Sequence, residues 1–259
     1  MSQQLSHILA LDFDGVVCDG LIEYFASTKK AYEQIWSEKV DDSFAPSFYR
    51  LRPVIETGWE MPILLRALVL GRSETEILQD FRAIALKIIQ SAKLEKQTVV
   101  NQLDGVRDRW IKSNLDEWLS LHRFYPGVIE QLKKIINSEI KLYIVTTKEG
   151  RFVKQLLQQQ GLDLPTAQII GKESKRPKYE TLRIIRDKHQ QLETEIKIIF
   201  VEDRLQALQQ VAQQEDLKFV QLFLADWGYN LESDRQIATQ NQQIKLLSLE
   251  DFQLAPDTW

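Results

Sequence analysis

The sequence predicts an α/β protein: a parallel-sheet core divided by a long, all-helical insertion. Three observations point there. A short apolar run, Ile8-Leu9-Ala10-Leu11, stops at Asp12-Phe13-Asp14-Gly15. From Leu21 to Leu121 the apolar residues recur at helical spacing, with no convincing strand. Beyond Phe124, apolar β-branched runs alternate with helical patterns, as strand–helix–strand units do.

Each element has its own signal. His7 to Leu11 reads as a buried strand entering a tight turn at Gly15. Within the insertion, Ile77, Phe81, Ile84, Ala85 and Ile88 mark one helical face, and Ser73 followed by Glu76 matches a capping box before it. The pattern changes at Phe124-Tyr125-Pro126-Gly127. A helix is expected next, with Val128, Leu132, Ile135 and Ile136 on one face. Leu142 to Val145 reads as a strand, Arg151 to Gln159 as a helix ending at Gly161, and Gln168 to Ile170 as a brief strand. A helix is expected from Pro177 to about Lys188, and Ile196 to Val201 is the clearest strand. A helix from Leu205 and strands at Phe219 to Leu224 and Ile244 to Leu247 complete the series. The expected architecture is a Rossmann-like core formed by residues 1–17 and 124–259, with a helical domain at 18–123. In such sheets ligands bind at the carboxyl ends of the strands.

Composition narrows the function. The chain has 259 residues, 44% of them hydrophobic, enough for one large domain or two smaller ones. A formal net charge of −4 gives no basic excess to hold a nucleic acid, so none is expected as a partner. Cys18 is the single cysteine, which excludes an internal disulfide and a cysteine-rich zinc site. No run approaches a membrane span, and Met1 to His7 carry no apolar leader. The expectation is a soluble cytoplasmic protein with no membrane partner. The glutamine-rich stretches at Gln158–Gln160 and Gln209–Gln214 are broken by apolar residues at helical spacing and read as solvated helix faces.

The chemistry starts at the first strand. Two aspartates one residue apart in extended backbone, Asp12 and Asp14, project to the same side. Their charges repel, and a divalent cation relieves that repulsion. Oxygen ligands of this hardness favour magnesium. A turn cap uses the same residue types, and turn statistics alone leave the two readings level. The balance tips because other polar residues end other strands: Thr146 after the Leu142 strand, and Glu202-Asp203 after the Ile196 strand.

The segment Asp12-Phe13-Asp14-Gly15-Val16-Val17-Cys18-Asp19-Gly20 resembles the first motif of the haloacid dehalogenase superfamily. Phe124 to Val128 resembles the return from a helical cap to the core, and Thr146, followed by Thr147-Lys148, the second motif. Lys178, opening a helix, resembles the third motif and Glu202-Asp203 the fourth. The resemblance covers nearly the whole chain, with the motifs in order. It implies a magnesium-dependent phosphoric monoester hydrolase acting on a small phosphorylated metabolite. Asp12 would be the nucleophile, forming an aspartyl-phosphate. Asp14 would protonate the leaving oxygen and then activate water. Members that act as dehalogenases lack this second aspartate. Asp12, the backbone carbonyl of Asp14 and Asp203 would hold Mg2+; Thr146 and Lys178 would bind the phosphoryl group. Lys172 and Lys175 share the loop with Lys178; the helical pattern that follows Lys178 favours it. One departure stands out: many members carry an aspartate four residues after the Asp203 position, where this chain has Ala207. Glu202 is expected to compensate by orienting Lys178 or a metal-bound water.

In the insertion, the stretch from Arg50 to Glu60 breaks the helical pattern. Arg50, Arg52, Glu56 and Trp59 are therefore candidates for substrate specificity, since arginines suit a carboxylate or second phosphate. A turn packed between helices is the competing reading for each. Trp36, Trp110 and Trp118 read as helix-packing residues, and His7, His122 and His189 lack metal-ligand spacing. A sugar-phosphate mutase would use the same residues, and a catalytically silent binding protein that keeps the fold is a reading of a different class.

Overall fold

The structure is a computed structural model that describes residues 4–190 and 194–259. The chain forms two compact units. One joins residues 1–19 to 124–259, and the other is Gly20–Arg123.

The first unit is built on six parallel strands: β1 (Gln4–Leu11), β2 (Lys141–Val145), β3 (Ile169–Ile170), β4 (Thr194–Glu202), β5 (Gln221–Ala225) and β6 (Ile244–Leu247). Their order across the sheet is β3-β2-β1-β4-β5-β6. β1 and β4 are central, and their inner stretches, Ile8 to Leu11 and Ile198 to Val201, are apolar without interruption, the composition of strand segments covered on both faces. Ile8, Ala10, Ile198 and Phe200 share one face and pack with Leu182 and Ile185 of the helix Lys178–His189. Leu205, Leu208 and Val211 of the helix Leu205–Ala212 join the same cluster. The alternate residues Leu9, Leu11, Ile199 and Val201 are buried as well.

The pairing register sets the site. Leu11 lies opposite Ile144 on one side and Val201 on the other. Asp12, Thr146 and Glu202-Asp203 therefore emerge together at the carboxyl ends of three adjacent strands. The Asp12 N–H donates to the Val201 carbonyl (2.9 Å), and the Thr146 N–H to the Ile170 carbonyl (3.0 Å), so the ladder runs to the edge of the site.

Three sequence expectations need correction. Phe219 lies before β5, which starts at Gln221, and its ring is exposed. Phe219 and Val220 carry the apolar pattern beyond the start of the strand. Ile136 ends the helix Val128–Ile136 on the exposed side, while Ile129 takes its place among the buried residues. The chain also forms a helix at Glu232–Gln240 that the sequence reading missed. That helix buries only Ala238, so it has almost no apolar stripe to read.

The second unit consists of helices, and no strand occurs between Leu21 and His122 among the described residues. Its principal helices are Leu21–Trp36, Glu60–Val69, Glu74–Ser91 and Lys96–Ser113. Ser73 and Glu76 form the expected capping box, with the Glu76 carboxylate accepting from the Ser73 N–H at 2.8 Å. The helix they start is interrupted at Asp80, whose φ of −157° is not helical. The Asp80 carboxylate accepts from the Ala83 N–H (2.9 Å) and so caps the continuation. Inside this unit Glu23 is buried and accepts from Arg107 Nε (2.8 Å), Arg107 Nη2 (2.9 Å), Trp118 Nε1 (3.0 Å) and Ser27 Oγ.

Candidate active site

The site forms where β1, β2 and β4 end. Asp12 is buried at the tip of β1, and Glu202 and Asp203 are buried at the tip of β4. Carboxylate oxygens of Asp12, Glu202 and Asp203 lie within 4.8 Å of one another. Lys178, the first residue of its helix, reaches them from the side. Its Nζ is 2.8 Å from Asp12 Oδ1 and also pairs with Glu202. Lys172 and Lys175, the other candidates in that loop, are exposed.

Burial governs the electrostatics. It pushes the Asp12 carboxyl up to about 7, against the pull of Lys178 and with a further push from Glu202. Asp203 is raised well above its ordinary value by burial first, then by the charges of Glu202 and Asp12. Burial also pushes Glu202 upward, but the Lys178 ammonium and the Arg204 N–H outweigh it and hold Glu202 below its ordinary range. Lys178 is raised: burial alone would lower it, but Asp12 and Glu202 more than reverse that.

These residues suit a magnesium ion. Three buried carboxylates face one ammonium, which leaves an excess of negative charge in a poorly solvated place. Asp12 Oδ1 is buried and, although close to Lys178, has no aligned hydrogen-bond donor. Hard oxygen donors gathered on one side are what Mg2+ takes.

Asp14 leaves this cluster and pairs instead with Lys148, whose Nζ lies 3.2 Å from Asp14 Oδ1. The Lys148 N–H donates to Thr146 Oγ1 at 3.2 Å. One short loop after β2 thus ties Thr146 and Asp14 together. The sequence marks Lys148 only as part of a motif, because its contact to Asp14 spans a large sequence separation and carries no local signal.

The turn after Asp12 is tight. The Val17 and Cys18 N–H groups both donate to the Phe13 carbonyl (2.9 Å each), and Gly15 has a φ of +89°. A side-chain carbon at Gly15 would meet Asp203 Oδ2 at 2.0 Å. A second segment, Trp227 to Asn230 after β5, closes on the same residues. The Tyr229 N–H donates to Asp203 Oδ2 (2.8 Å), and Asn230 Nδ2 to the Asp203 carbonyl (3.1 Å). The Tyr229 hydroxyl donates to Asp19 Oδ1 (2.7 Å), and Trp227 Nε1 to the Val16 carbonyl (3.1 Å). Sequence reasoning overlooked this segment, because a Trp-Gly-Tyr run after a strand has the look of an ordinary turn.

The four specificity candidates all lie in the second unit. Arg50 is exposed and donates from Nε to Glu74 (3.0 Å). Arg52 donates to the Ile55 carbonyl (3.1 Å) and stands 5.2 Å from the centre of the Tyr24 ring. Glu56 is exposed, and its N–H donates to the Glu60 carboxylate (2.7 Å). The Trp59 ring carries Lys96 Nζ at 4.6 Å from its centre.

Comparison with known proteins identifies a family and a fold. The model of the haloacid dehalogenase-like hydrolase family matches residues 64–221. A sequence search of curated proteins gave no match. Among solved structures, the fold is similar to that of a predicted phosphatase from Clostridium acetobutylicum. That match has a TM-score of 0.57 and 16% identity, covering 96% of this chain and 97% of the other. A haloacid dehalogenase-like family hydrolase from Streptococcus pneumoniae gives a TM-score of 0.58 at 14% identity, covering 96% and 95%. A predicted phosphoglycolate phosphatase from Haemophilus somnus gives 0.56 at 16% identity, covering 90% and 89%.

Proposed function

The chain belongs to the haloacid dehalogenase-like hydrolases, and on that premise we propose that it is a magnesium-dependent phosphatase acting on a small phosphorylated metabolite through Asp12. One observation carries the reading: Asp12 at the tip of β1 shares a buried cluster with Glu202, Asp203 and the Lys178 ammonium. A carboxylate placed against a fixed cation, in a site also fit for a metal, suits attack on phosphorus.

In the proposed reaction an Asp12 oxygen attacks the phosphorus of the ester, and the bond to the leaving oxygen breaks. Asp14 delivers a proton to that oxygen. A water then attacks the aspartyl-phosphate, Asp14 takes up its proton, and the bond between phosphorus and Asp12 breaks. Lys178 holds positive charge beside the phosphoryl oxygens throughout, and the Thr146 hydroxyl donates to one of them. Lys148 keeps Asp14 directed by their ion pair. Asp12, Asp203 and the Asp14 carbonyl would hold Mg2+, with Glu202 fixing Lys178. Bound there, the ion would neutralise phosphoryl charge and favour in-line attack. We assign substrate selection to the inserted unit, to Arg50, Arg52, Glu56 and Trp59, since arginines suit a carboxylate or a second phosphate on the substrate.

The decisive experiment is Asp12→Asn, assayed for phosphate release from an aryl phosphate with Mg2+ present. The expected result is complete loss of turnover with an unchanged circular dichroism spectrum. Wild-type protein that releases no phosphate from any ester in a broad metabolite panel would overturn the reading.

A further inference from the structure

Tyr229 touches the proposed metal carboxylate and the nucleophile loop with two different groups. Its backbone N–H donates to Asp203 Oδ2 at 2.8 Å, and its hydroxyl donates to Asp19 Oδ1 at 2.7 Å. Asp19 closes the loop that begins at Asp12, and it is the last residue of the first unit before the chain enters the second. The Tyr229 ring is buried between these two contacts. Two glycines bring the parts together. A side-chain carbon at Gly228 would lie 2.3 Å from Asp203 Cβ and 2.6 Å from the Gly15 carbonyl. Trp227 and Asn230 fasten the same segment to Val16 and to the Asp203 backbone.

We propose that Tyr229 is a positioning residue for cation binding, a role that rests on the magnesium-dependent reading above. Its hydroxyl anchors the ring on Asp19, and the anchored residue aims its N–H at one oxygen of Asp203. The carboxylate then cannot rotate, and its second oxygen keeps a fixed direction relative to Asp12. A carboxylate held in this way binds a small, geometrically demanding ion without first paying to order itself. The segment after β5 thereby joins the ends of β1 and β4 into one frame, although it contributes no ligand.

Tyr229→Phe removes the hydroxyl and keeps both the ring and the N–H. Mg2+ is titrated against two readouts: phosphate release from an aryl phosphate, and the rise in melting temperature of the protein with no substrate present. The variant should need roughly tenfold more Mg2+ or above in both. Its KM for substrate at saturating Mg2+ should stay as in wild type. Asp19→Asn should reproduce part of the shift and add little in the Tyr229→Phe background, since both act on one contact. A variant that melts lower but titrates Mg2+ as wild type does would overturn the proposal, leaving Tyr229 a packing residue. Wild-type protein with no Mg2+ response in either readout would overturn the magnesium reading and this proposal with it, and that outcome is visible before any variant is made.

Discussion

The Lys178 ammonium stands between two buried carboxylates, 2.8 Å from Asp12 Oδ1 and paired on its other side with Glu202. Removing it would leave neighbouring charges buried without compensation. Lys178→Met should therefore lose about 3–5 kcal/mol of stability, as breaking a buried pair does, together with phosphatase turnover. Urea unfolding without metal measures the first effect. A variant as stable as wild type at neutral pH would show that the cluster does not need this cation.

The same burial makes metal binding compete with protons. Asp12 is raised to about 7, and Asp203 is raised too, so each holds its proton more tightly in the folded state than in the unfolded chain. Between the unfolded carboxylate range and about pH 7 the folded state binds more protons at these groups. Their contribution to metal-free stability is therefore greatest at low pH and is lost as pH rises through that window. Mg2+ needs the ionised forms. The melting-temperature gain from Mg2+ should be large at about pH 8 and small at about pH 5.5. Equal gains at both would contradict the proposed ligands.

Asp14 is held by Lys148 rather than by the acidic cluster. Asp14→Asn should slow hydrolysis of an alkyl phosphate by roughly 10²–10⁴-fold. An aryl phosphate, whose leaving group needs no proton, should still phosphorylate Asp12 and then stall. Rapid-quench kinetics should show a burst of phenol close to one per enzyme with little steady turnover. Equal losses on both esters and no burst would remove Asp14 from the proton-transfer role.

Gly15 has no room for a side chain. Its positive φ and the 2.0 Å approach to Asp203 act together in Gly15→Ala. The backbone strain alone costs about 1–3 kcal/mol, and the displaced carboxylate should weaken Mg2+ binding as well. Calorimetry with and without Mg2+ separates the two effects; an alanine variant with native Mg2+ affinity would contradict the close approach.

The second unit has its own buried charge. Arg107 supplies two hydrogen bonds to Glu23, and Trp118 and Ser27 supply two more. Arg107→Met should destabilise this unit by about 3–5 kcal/mol, because the buried Glu23 carboxylate would lose its cation. Trp118 donates to the same carboxylate, so tryptophan fluorescence during denaturation should report the loss. An unchanged midpoint would show that this unit does not depend on the Arg107–Glu23 pair.

Most of the strand and helix series, the insertion and the polar residues at the strand ends are legible in the sequence, whereas the helix Glu232–Gln240, which buries only Ala238, is not. The legible features are local: an apolar run stopping at Asp12, or Ile198 and Phe200 alternating before Glu202, is written in consecutive residues. The parallel register then brings Asp12, Thr146 and Glu202-Asp203 to one edge, as the strand–helix alternation implied. Which charges meet is settled by the folded arrangement of the loops. Lys148 with Asp14, Lys178 with Asp12 and Glu202, and Tyr229 with Asp203 and Asp19 are contacts between segments far apart in the chain. They depend on loops whose course follows from packing rather than from periodicity. No pattern in neighbouring residues encodes them, because their energies exist only once the sheet has brought the loops together.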